Sequence, residues 1–562
     1  MRQSFTEWTK SGAPWVWLNA GAVAICLIMV VGLLTLIAVR GLGHFWPADI
    51  VQSNYTEKNN TIRMIGERVQ TVQVPAEQLS DSGVEVPEGV ETMERILMKI
   101  GNRDHGGTDF VWILDTFNHD QSKPEMLFAA ERREWGNFYG YLRSIKEDGK
   151  VVASHDGYEK TPEYEAFWNE FQNRIERALS IHDQIKEIEK GTIGSINYEM
   201  ERLRLKERSL QLKEVTDPAR YQEIDDRRKE LDLEYESLQS ELLALYNAAN
   251  RDTITAEIAN GKIVEFKVSW VVRAFLPNDM GIGGKIGHYF AKVWEFLSDD
   301  PREANTEGGI FPAIYGTVLM VLIMSVMVTP FGVVAAVYLR EYAKQGFVTR
   351  VIRIAVNNLA GVPSIVYGVF GLGFFVYFLG GHIDDAFFPE AKPAPTFGTP
   401  GLLWASITLA LLTVPVVIVA TEEGLTRIPR AIREGSLALG ATKFETLMKI
   451  VIPMASPAIM TGVILAIARA AGEVAPLMLV GVVKLAPSLP LDGNYPFLHL
   501  DQKFMHLGFH IYDVGFQSPN VEAARPLVYA TALLLVAVIA MLNLSAIQIR
   551  NHLREKYKAL EM

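Results

Sequence analysis

The sequence predicts an all-α polytopic membrane protein with six transmembrane helices and one large water-soluble domain inserted between the first two of them. Hydrophobic residues make up 49% of the 562 residues, and the mean hydropathy of +0.12 is high for a soluble chain of this length. Charged residues still make up 21%, so part of the chain must lie in water. The formal net charge of −11 is uneven, because the acidic excess is concentrated in residues 41–308.

Six apolar stretches are long enough to cross a bilayer, whose hydrocarbon core of about 30 Å requires roughly 20 residues of helix. They lie near Trp15–Val39, Ile314–Leu339, Ile354–Leu379, Leu402–Thr421, Ile459–Val483 and Pro526–Ile547. The first stretch is too long for the apolar region of a signal peptide, and no small-residue cleavage site follows it. We therefore expect it to be retained as a membrane anchor.

Basic residues predict the orientation of these helices, because cytoplasmic loops carry an excess of lysine and arginine. Such residues are frequent near the N-terminus, after the second and fourth helices and in the C-terminal tail, namely Arg2, Lys10, Arg340, Lys344, Arg350, Arg353, Arg427, Arg430, Arg433, Lys443, Lys449, Arg550, Arg554, Lys556 and Lys558. The short loops on the other side carry only Lys392, Lys484, Lys503 and Arg525. Both termini are therefore expected in the cytoplasm, with the inserted domain outside.

The inserted segment, residues 45–308, is predicted to form a mostly helical domain with some β-structure. Apolar residues between Tyr221 and Leu245 recur at alternating steps of three and four, the pattern of a coiled-coil seam. Thr216-Asp217-Pro218 precedes them as a turn and helix cap, so a coiled-coil hairpin is expected over about 165–248. Beyond it, Asn260-Gly261 favours a two-residue β-hairpin turn.

No catalytic, metal or cofactor site is predicted in this chain. The one cysteine, Cys26, lies in an apolar stretch and provides neither a disulfide nor a cysteine metal site. Four scattered histidines of the inserted segment are interpreted as surface residues, namely His105, His119, His155 and His182. The inserted domain is therefore interpreted as structural or docking, with a sensory role as the alternative.

The loop between the fourth and fifth helices, residues 434–453, carries the most specific motif. It reads E-G-S-L-A-L-G from Glu434 through Gly435 to Gly440, then nine residues, then I-V-I-P from Ile450 to Pro453. Gly440 permits a break between two helices, and Pro453 suits the first turn of the next membrane helix, where its missing N–H costs little. The spacing closely resembles the EAA loop of ABC importer permeases, E-A-A-x3-G-x9-I-x-L-P.

This resemblance implies a permease of the type I ABC importer fold, in which the loop forms a short helix–turn–helix that docks into a groove of an ATPase subunit. Glu434 and the neighbouring basic residues would offer charged contacts to that partner. Gly435-Ser436 in place of two alanines and Ile452 in place of leucine are small or aliphatic departures. The sequence has no G-x4-G-K-[ST] phosphate loop, so ATP would be bound and hydrolysed by the separate subunit.

Four further segments resemble the A-type permease of the Pst phosphate transporters. They are Asn358–Gly368, Val414–Glu423, Leu437–Thr442 and Ala468–Leu477. The resemblance covers about 310–558 and the first helix, and the inserted domain is a large addition to the short family form. It implies a bacterial inner-membrane protein with a C-type permease partner, an ATPase dimer and a periplasmic phosphate-binding protein, and no cofactor bound by this chain.

Arg469 and Glu473 are the predicted substrate-pathway residues. They lie four apart, hence on one face of a helix, and charged groups at membrane depth usually face a cavity or a partner. The planar guanidinium of Arg469 can bind a phosphate oxyanion, and Glu473 would neutralise it when the pathway is empty. The alternative is a structural ion pair that holds helices together. The glycine-rich third helix is expected either to expose backbone to the pathway or to allow close packing.

The domain boundaries that follow are a cytoplasmic N-terminus and first helix over 1–44, the inserted domain over 45–308, a five-helix permease core over 309–549 and a cytoplasmic tail over 550–562. The predicted function is ATP-driven import of inorganic phosphate by alternating access. One alternative keeps the architecture but transports another oxyanion, such as sulfate or molybdate. The other is a membrane sensor with an external coiled coil, for which the tail after Ile549 is too short to form an output domain.

Overall fold

The computed structural model describes residues 11–57, 60–81, 89–344, 346–518 and 521–557. Among these residues, six helices are long and apolar enough to cross a membrane, in agreement with the predicted number. We call them the first to sixth spans, in order Pro14–Gly43, Phe311–Tyr342, Ser364–Phe387, Leu402–Arg427, Lys443–Ala471 and Ala524–Lys556. The predicted cytoplasmic residues Arg2, Lys10 and Lys558 lie outside the described residues.

The fourth span lies at the centre of the helical core. In its most apolar stretch of 18 residues, 67% of the residues are buried, whereas none is buried in the corresponding stretch of the first span. Small residues allow its neighbours to approach closely. A Cβ added to Gly462 of the fifth span would lie 2.7 Å from the Cβ of Ala420 in the fourth. The first span instead packs on the sixth, where a Cβ added to Gly41 would lie 2.9 Å from the carbonyl oxygen of Tyr529. The remaining surface of the first span is exposed in this single chain.

The predicted bounds of the third and fifth helices are wrong. Residues predicted to begin the third span form a separate helix, Phe347–Leu359, because Gly361 and Pro363 break the chain before Ser364. The fifth span begins at Lys443 and ends at Ala471, well short of the predicted Val483. Shorter helices of the core cover Gly381–Phe387 at the end of the third span, Arg430–Ala438, Leu477–Val480 and Leu507–Tyr512.

The inserted segment contains two antiparallel sheets, which is more β-structure than the predicted hairpin around Asn260-Gly261. The first has the order β4-β3-β2-β1-β5, with β1 Ile50–Glu57, β2 Asn60–Pro75, β3 Thr92–Lys99, β4 Phe110–Leu114 and β5 Asn118–Ser122. The second has the order β10-β9-β7-β6-β11, with β8 paired to β7; its strands are β6 Phe128–Arg132, β7 Phe138–Glu147, β8 Lys150–Ser154, β9 Asp252–Glu257, β10 Ile263–Lys267 and β11 Val271–Phe275. Ile50 and Ile65 of the first sheet share one core with Phe128 and Phe138 of the second.

A helical hairpin projects from the second sheet, as predicted. Its first arm runs through Pro162–Lys186 and, after one wide turn, Ile193–Leu212, and its second arm is Pro218–Ala249. The Asp217 side chain accepts a hydrogen bond from the Ala219 N–H at 3.1 Å, so it caps the second arm as expected. Phe171 of the first arm is fully buried against the sheet. Coiled-coil packing between the arms stays a prediction.

The turn between β9 and β10 is longer than the predicted two residues. The Ile258 N–H donates to the Lys262 carbonyl at 3.0 Å, so three residues form the loop. Gly261 ends it with a φ of 81°, which is the left-handed residue of a three-residue hairpin. The loop therefore contains one residue more than the Asn260-Gly261 dipeptide that predicted it, and the strand register is set by this three-residue loop.

Three short helices and one two-stranded ladder complete the inserted segment, namely Ala76–Asp81, Arg103–Gly106, Ile282–Ser298 and the pair Pro301–Arg302 with Glu307–Gly308. The segment touches the helical core away from its ends as well. The Tyr198 hydroxyl of the hairpin donates to the carbonyl of Tyr495, and its ring lies edge-on to His499 at 5.7 Å. The hairpin thus lies over residues 484–506, between the fifth and sixth spans.

Candidate functional site: the 434–453 loop and the Arg469 pair

The first half of the 434–453 loop is a short helix ended by glycine. The helix covers Arg430–Ala438, and Gly440 follows it with a φ of 87°. The Gly440 N–H donates to Leu437 at 3.0 Å and the Ala441 N–H to Ser436 at 3.3 Å, the two bonds of a Schellman C-cap. Since side chains disfavour this backbone conformation, the predicted need for glycine at 440 is confirmed.

The second half begins a new helix almost at once. Thr442 and Glu445 form a capping box, in which each side chain bonds the backbone N–H of the other residue, at 3.2 and 3.0 Å. The hydroxyls of Ser436 and Thr446 lie 2.9 Å apart and join the two halves. The loop is therefore a helix–turn–helix with a fixed angle, as the resemblance implied.

The loop is fastened to the end of the second span. Arg433 lies 3.1 Å from the Glu341 carboxylate, and the Lys443 ammonium donates to the Glu341 carbonyl at 2.5 Å. Lys443 also lies over the Tyr342 ring, 4.3 Å from its centroid. Sequence reasoning missed Glu341, although an acidic residue within an otherwise basic loop was a signal. These contacts join the loop to the end of the second span.

The outer face of the loop carries apolar side chains that are exposed in this single chain. Leu439 is 91% exposed and Phe444 66%, with Leu437 and Met448 beside them. Glu434, Gly435 and Gly440 are exposed on the same loop, whereas Ile450 and Pro453 are half-buried. Clustered exposed apolar residues of this kind mark a protein contact.

Pro453 lies in the first turn of the α-helix Ile452–Ala471, as predicted. The apolar span itself starts ten residues earlier, at Lys443, because a wide π-turn over Leu447–Val451 joins a short helical turn to that α-helix. A wide turn relaxes the hydrogen-bond ladder where proline removes a donor. The second half of the loop and the fifth span consequently form one continuous helical segment, Lys443–Ala471, which includes Arg469.

Arg469 lies in the last turn of the fifth span, and Glu473 lies just beyond the helix end at Ala471. Arg469 Nε is 3.7 Å from Glu473 Oε1, and the side chains are 31% and 19% exposed. Gly462, which contacts the middle of the fourth span, precedes Arg469 by seven residues, or about 10 Å of helix. The pair therefore lies about 10 Å along the fifth span from that contact, at the end of the span, and Leu465 and Gly472 share its exposed side.

The glycines of the third span serve packing at two positions. A Cβ added to Gly368 would lie 2.7 Å from the Cα of Pro476, and one added to Gly371 would collide with the Thr408 hydroxyl. Gly361 and Gly373 have no such close neighbour among the described residues. Gly368 and Gly371 thus bring the third span against the fourth and against the turn that follows Glu473, which fixes where that carboxylate lies.

Comparison with known proteins places these features in a family. Residues 328–558 match the model of the binding-protein-dependent transport system inner membrane component. The phosphate transport system permease protein PstA 1 of Mycobacterium tuberculosis (strain CDC 1551 / Oshkosh) is 37% identical over 247 residues, 43% of this chain and 71% of that protein. PstA of Yersinia pestis is 32% identical over 297 residues, 53% of this chain and 88% of that protein.

Among solved structures, an inward-facing MetNI methionine ABC transporter covers 43% of this chain and 94% of its own, at 18% identity and a TM-score of 0.32, which is too low to support a conclusion. The family model and the two relatives establish the family without this structure. The identity to both relatives spans most of their length, and the family model covers the 434–453 loop and Arg469. The chain therefore belongs to the ABC importer permeases of the binding-protein-dependent type, in the family of the PstA permeases.

Proposed function

We propose that this chain is the A-type permease subunit of an ATP-driven importer of inorganic phosphate, working with a C-type permease, an ATPase dimer and a periplasmic phosphate-binding protein. One observation carries the proposal: in a chain of the PstA family, an arginine in the last turn of the fifth span lies on a surface that this single chain leaves partly exposed. A charged group within a membrane span is costly unless it faces a partner or an aqueous path.

Coupling to ATP is assigned to the 434–453 loop. Its exposed face, formed by Leu437, Leu439, Phe444 and Met448, supplies apolar anchors for a groove on the ATPase. Glu341 ties the loop to the second span, and the unbroken segment from Lys443 to Ala471 ties it to Arg469. Closure of the ATPase dimer would move both spans together and alternate the access to the anion site.

Anion binding is assigned to Arg469. Glu473 competes with the anion for the guanidinium and discriminates between phosphate and other oxyanions. The guanidinium offers two parallel N–H donors to a phosphate oxyanion. Glu473 lies at 3.7 Å, close enough to pair with Arg469 in the empty state. Hydrogen phosphate carries a P–OH that can donate to this carboxylate, whereas sulfate at neutral pH has no proton to donate. The pair therefore favours phosphate over the sulfate or molybdate of the alternative proposal.

Uptake of radiolabelled phosphate tests the proposal. The chain with its partner subunits is expressed in cells that lack other phosphate importers, and sulfate or molybdate is added in excess. We expect ATP-dependent phosphate uptake that neither competitor reduces. Uptake of sulfate or molybdate in place of phosphate would contradict the proposed cargo but remain consistent with the proposed importer architecture. Absence of any transport by an assembled complex would favour the sensor alternative.

The proposed orientation places the inserted domain in the periplasm, and the 434–453 loop and both termini in the cytoplasm of a bacterial inner-membrane protein. Two exposed leucines give a matched pair for a test in a Cys26→Ser background: Leu233 on the helical hairpin, 69% exposed, and Leu439 on the loop, 91% exposed. In spheroplasts, a membrane-impermeant maleimide should label Leu233→Cys at once and Leu439→Cys only after lysis. The reverse order would contradict the orientation.

A further inference from the structure

The helix Ile282–Ser298, which we call the Ile282 helix, has one face without any charged side chain although it belongs to the inserted domain. Ile282, Ile286, Phe290 and Trp294 follow one another at steps of four and are 77%, 44%, 65% and 70% exposed. The smaller residues Gly283, Gly287 and Ala291 share this exposed side. A helix facing water would carry charged residues there, so this face requires a cover.

The opposite face of the Ile282 helix is fixed to the sheets by ion pairs. Lys285 pairs with Asp49, and Lys292 lies 2.8 Å from Glu131 of β6. Burial would raise the pKa of Glu131, but Lys292 and Arg273 outweigh it and lower that pKa to about 2, so the pair stays ionised at physiological pH. The helix therefore cannot turn its apolar face inward without breaking these pairs.

Both ends of the inserted domain hold the Ile282 helix at the level of the span ends. Phe45, directly after the first span, packs on Phe296 with ring centroids 5.1 Å apart, and Trp46 lies 6.1 Å from Tyr289. The Ile310 N–H, one residue before the second span, donates to the Phe296 carbonyl at 2.8 Å. Trp46, 46% exposed, thus brings an exposed apolar side chain from the end of the first span to the Ile282 helix, and Leu42, 44% exposed, precedes it in the last turn of that span.

From this placement we infer that the Ile282 helix is an interfacial helix, which lies in the headgroup–acyl boundary of the bilayer on the side of the inserted domain and supports that domain on the lipid. An amphipathic helix of this kind buries its apolar face about 5–10 Å into that boundary. Exposed tryptophans are typical of the same depth, as Trp46 and Trp294 would be. The exposed face itself carries no charged side chain, as expected for a surface in contact with lipid.

Site-directed fluorescence in the assembled transporter tests the inference. In a Cys26→Ser background, Phe290→Cys is labelled with nitrobenzoxadiazole, and Leu243→Cys of the helical hairpin, whose leucine is 64% exposed against 65% for Phe290, serves as the control. Both proteins are reconstituted in phosphatidylethanolamine–phosphatidylglycerol vesicles with or without lipids that carry a nitroxide near the carbonyl. Neither site touches the 434–453 loop or Arg469, and the readout needs no transport.

We expect nitroxide lipids to quench the Phe290 label several-fold more than the Leu243 label, and aqueous iodide to show the opposite order. Iodide quenching of the Phe290 label equal to that of the Leu243 label would show a water-exposed face and overturn the inference. A Phe290 label shielded from both quenchers would show a protein cover and overturn it equally. Ile286→Cys, one turn earlier, should repeat the Phe290 result if the whole face lies in lipid.

Discussion

Arg469→Gln is expected to reduce phosphate uptake by about tenfold to a hundredfold, because a hydrogen bond to a charged group contributes roughly 1.5–3 kcal/mol and 1.4 kcal/mol is a factor of ten. The amide keeps much of the side chain's length and loses both the charge and the forked donors. Uptake rates at equal amounts of membrane-inserted complex provide the measurement. Arg469→Lys should retain part of the rate, since it keeps the charge but not the bidentate geometry.

Two controls separate a pathway role from a structural pair. Arg227→Gln removes an arginine that pairs with Glu199 at 2.8 Å on the hairpin, far along the chain from the spans, and should leave uptake unchanged. The exchange Arg469→Glu with Glu473→Arg preserves an ion pair while moving the cation. Restored uptake in the exchanged protein would show that the pair only holds the helices together, and the anion site would then lie elsewhere.

Gly440→Val is expected to lower uptake at least about tenfold by disrupting the coupling loop. A left-handed conformation costs an ordinary residue roughly 1–2 kcal/mol, and a β-branched side chain is among the least tolerant of it. Relief of that strain would open the Schellman cap and change the angle between the two halves of the loop. The ATPase activity of the assembled complex in proteoliposomes should also lose its stimulation by the binding protein.

Gly435 gives the matched control within the same loop. It lies inside the helix Arg430–Ala438, and an added Cβ would meet nothing within 4 Å. Gly435→Ala should therefore leave uptake unchanged and favour the helix by roughly 0.5–1 kcal/mol. Equal loss in both variants would mean that any bulk at the ATPase contact is harmful, and the role of the left-handed turn would be contradicted.

The number of spans could be predicted from the sequence because hydropathy is summed over a whole helix and tolerates local irregularity. The limits of the third and fifth spans could not, because Gly361, Pro363 and Gly472 interrupt the helices inside stretches that stay apolar. The proline signal at Pro453 marks the first turn of the α-helix Ile452–Ala471, but it does not report the wide turn that extends the span before it. Helix ends within apolar stretches depend on backbone hydrogen bonding that hydropathy does not report.

The assembly of the two sheets could not be predicted, because the pairings that join their hairpins are not local. β7 pairs with β9 across the whole helical hairpin, and β1 pairs with β5 across three strands. The Arg469–Glu473 pair could be predicted, since residues four apart on a helix lie close together whatever the rest of the fold. The Glu341 contact with Arg433 joins residues of different loops, so only the folded chain shows it.

The contact between Phe45 and Phe296 has a consequence for how this chain could have arisen. Since the two ends of residues 45–308 meet beside the spans they connect, a short linker could join the same spans without moving either. The whole segment could then have been gained by a single insertion in an ancestral gene that already encoded the helical core. Its own two-sheet core would have allowed it to fold in its new place from the start.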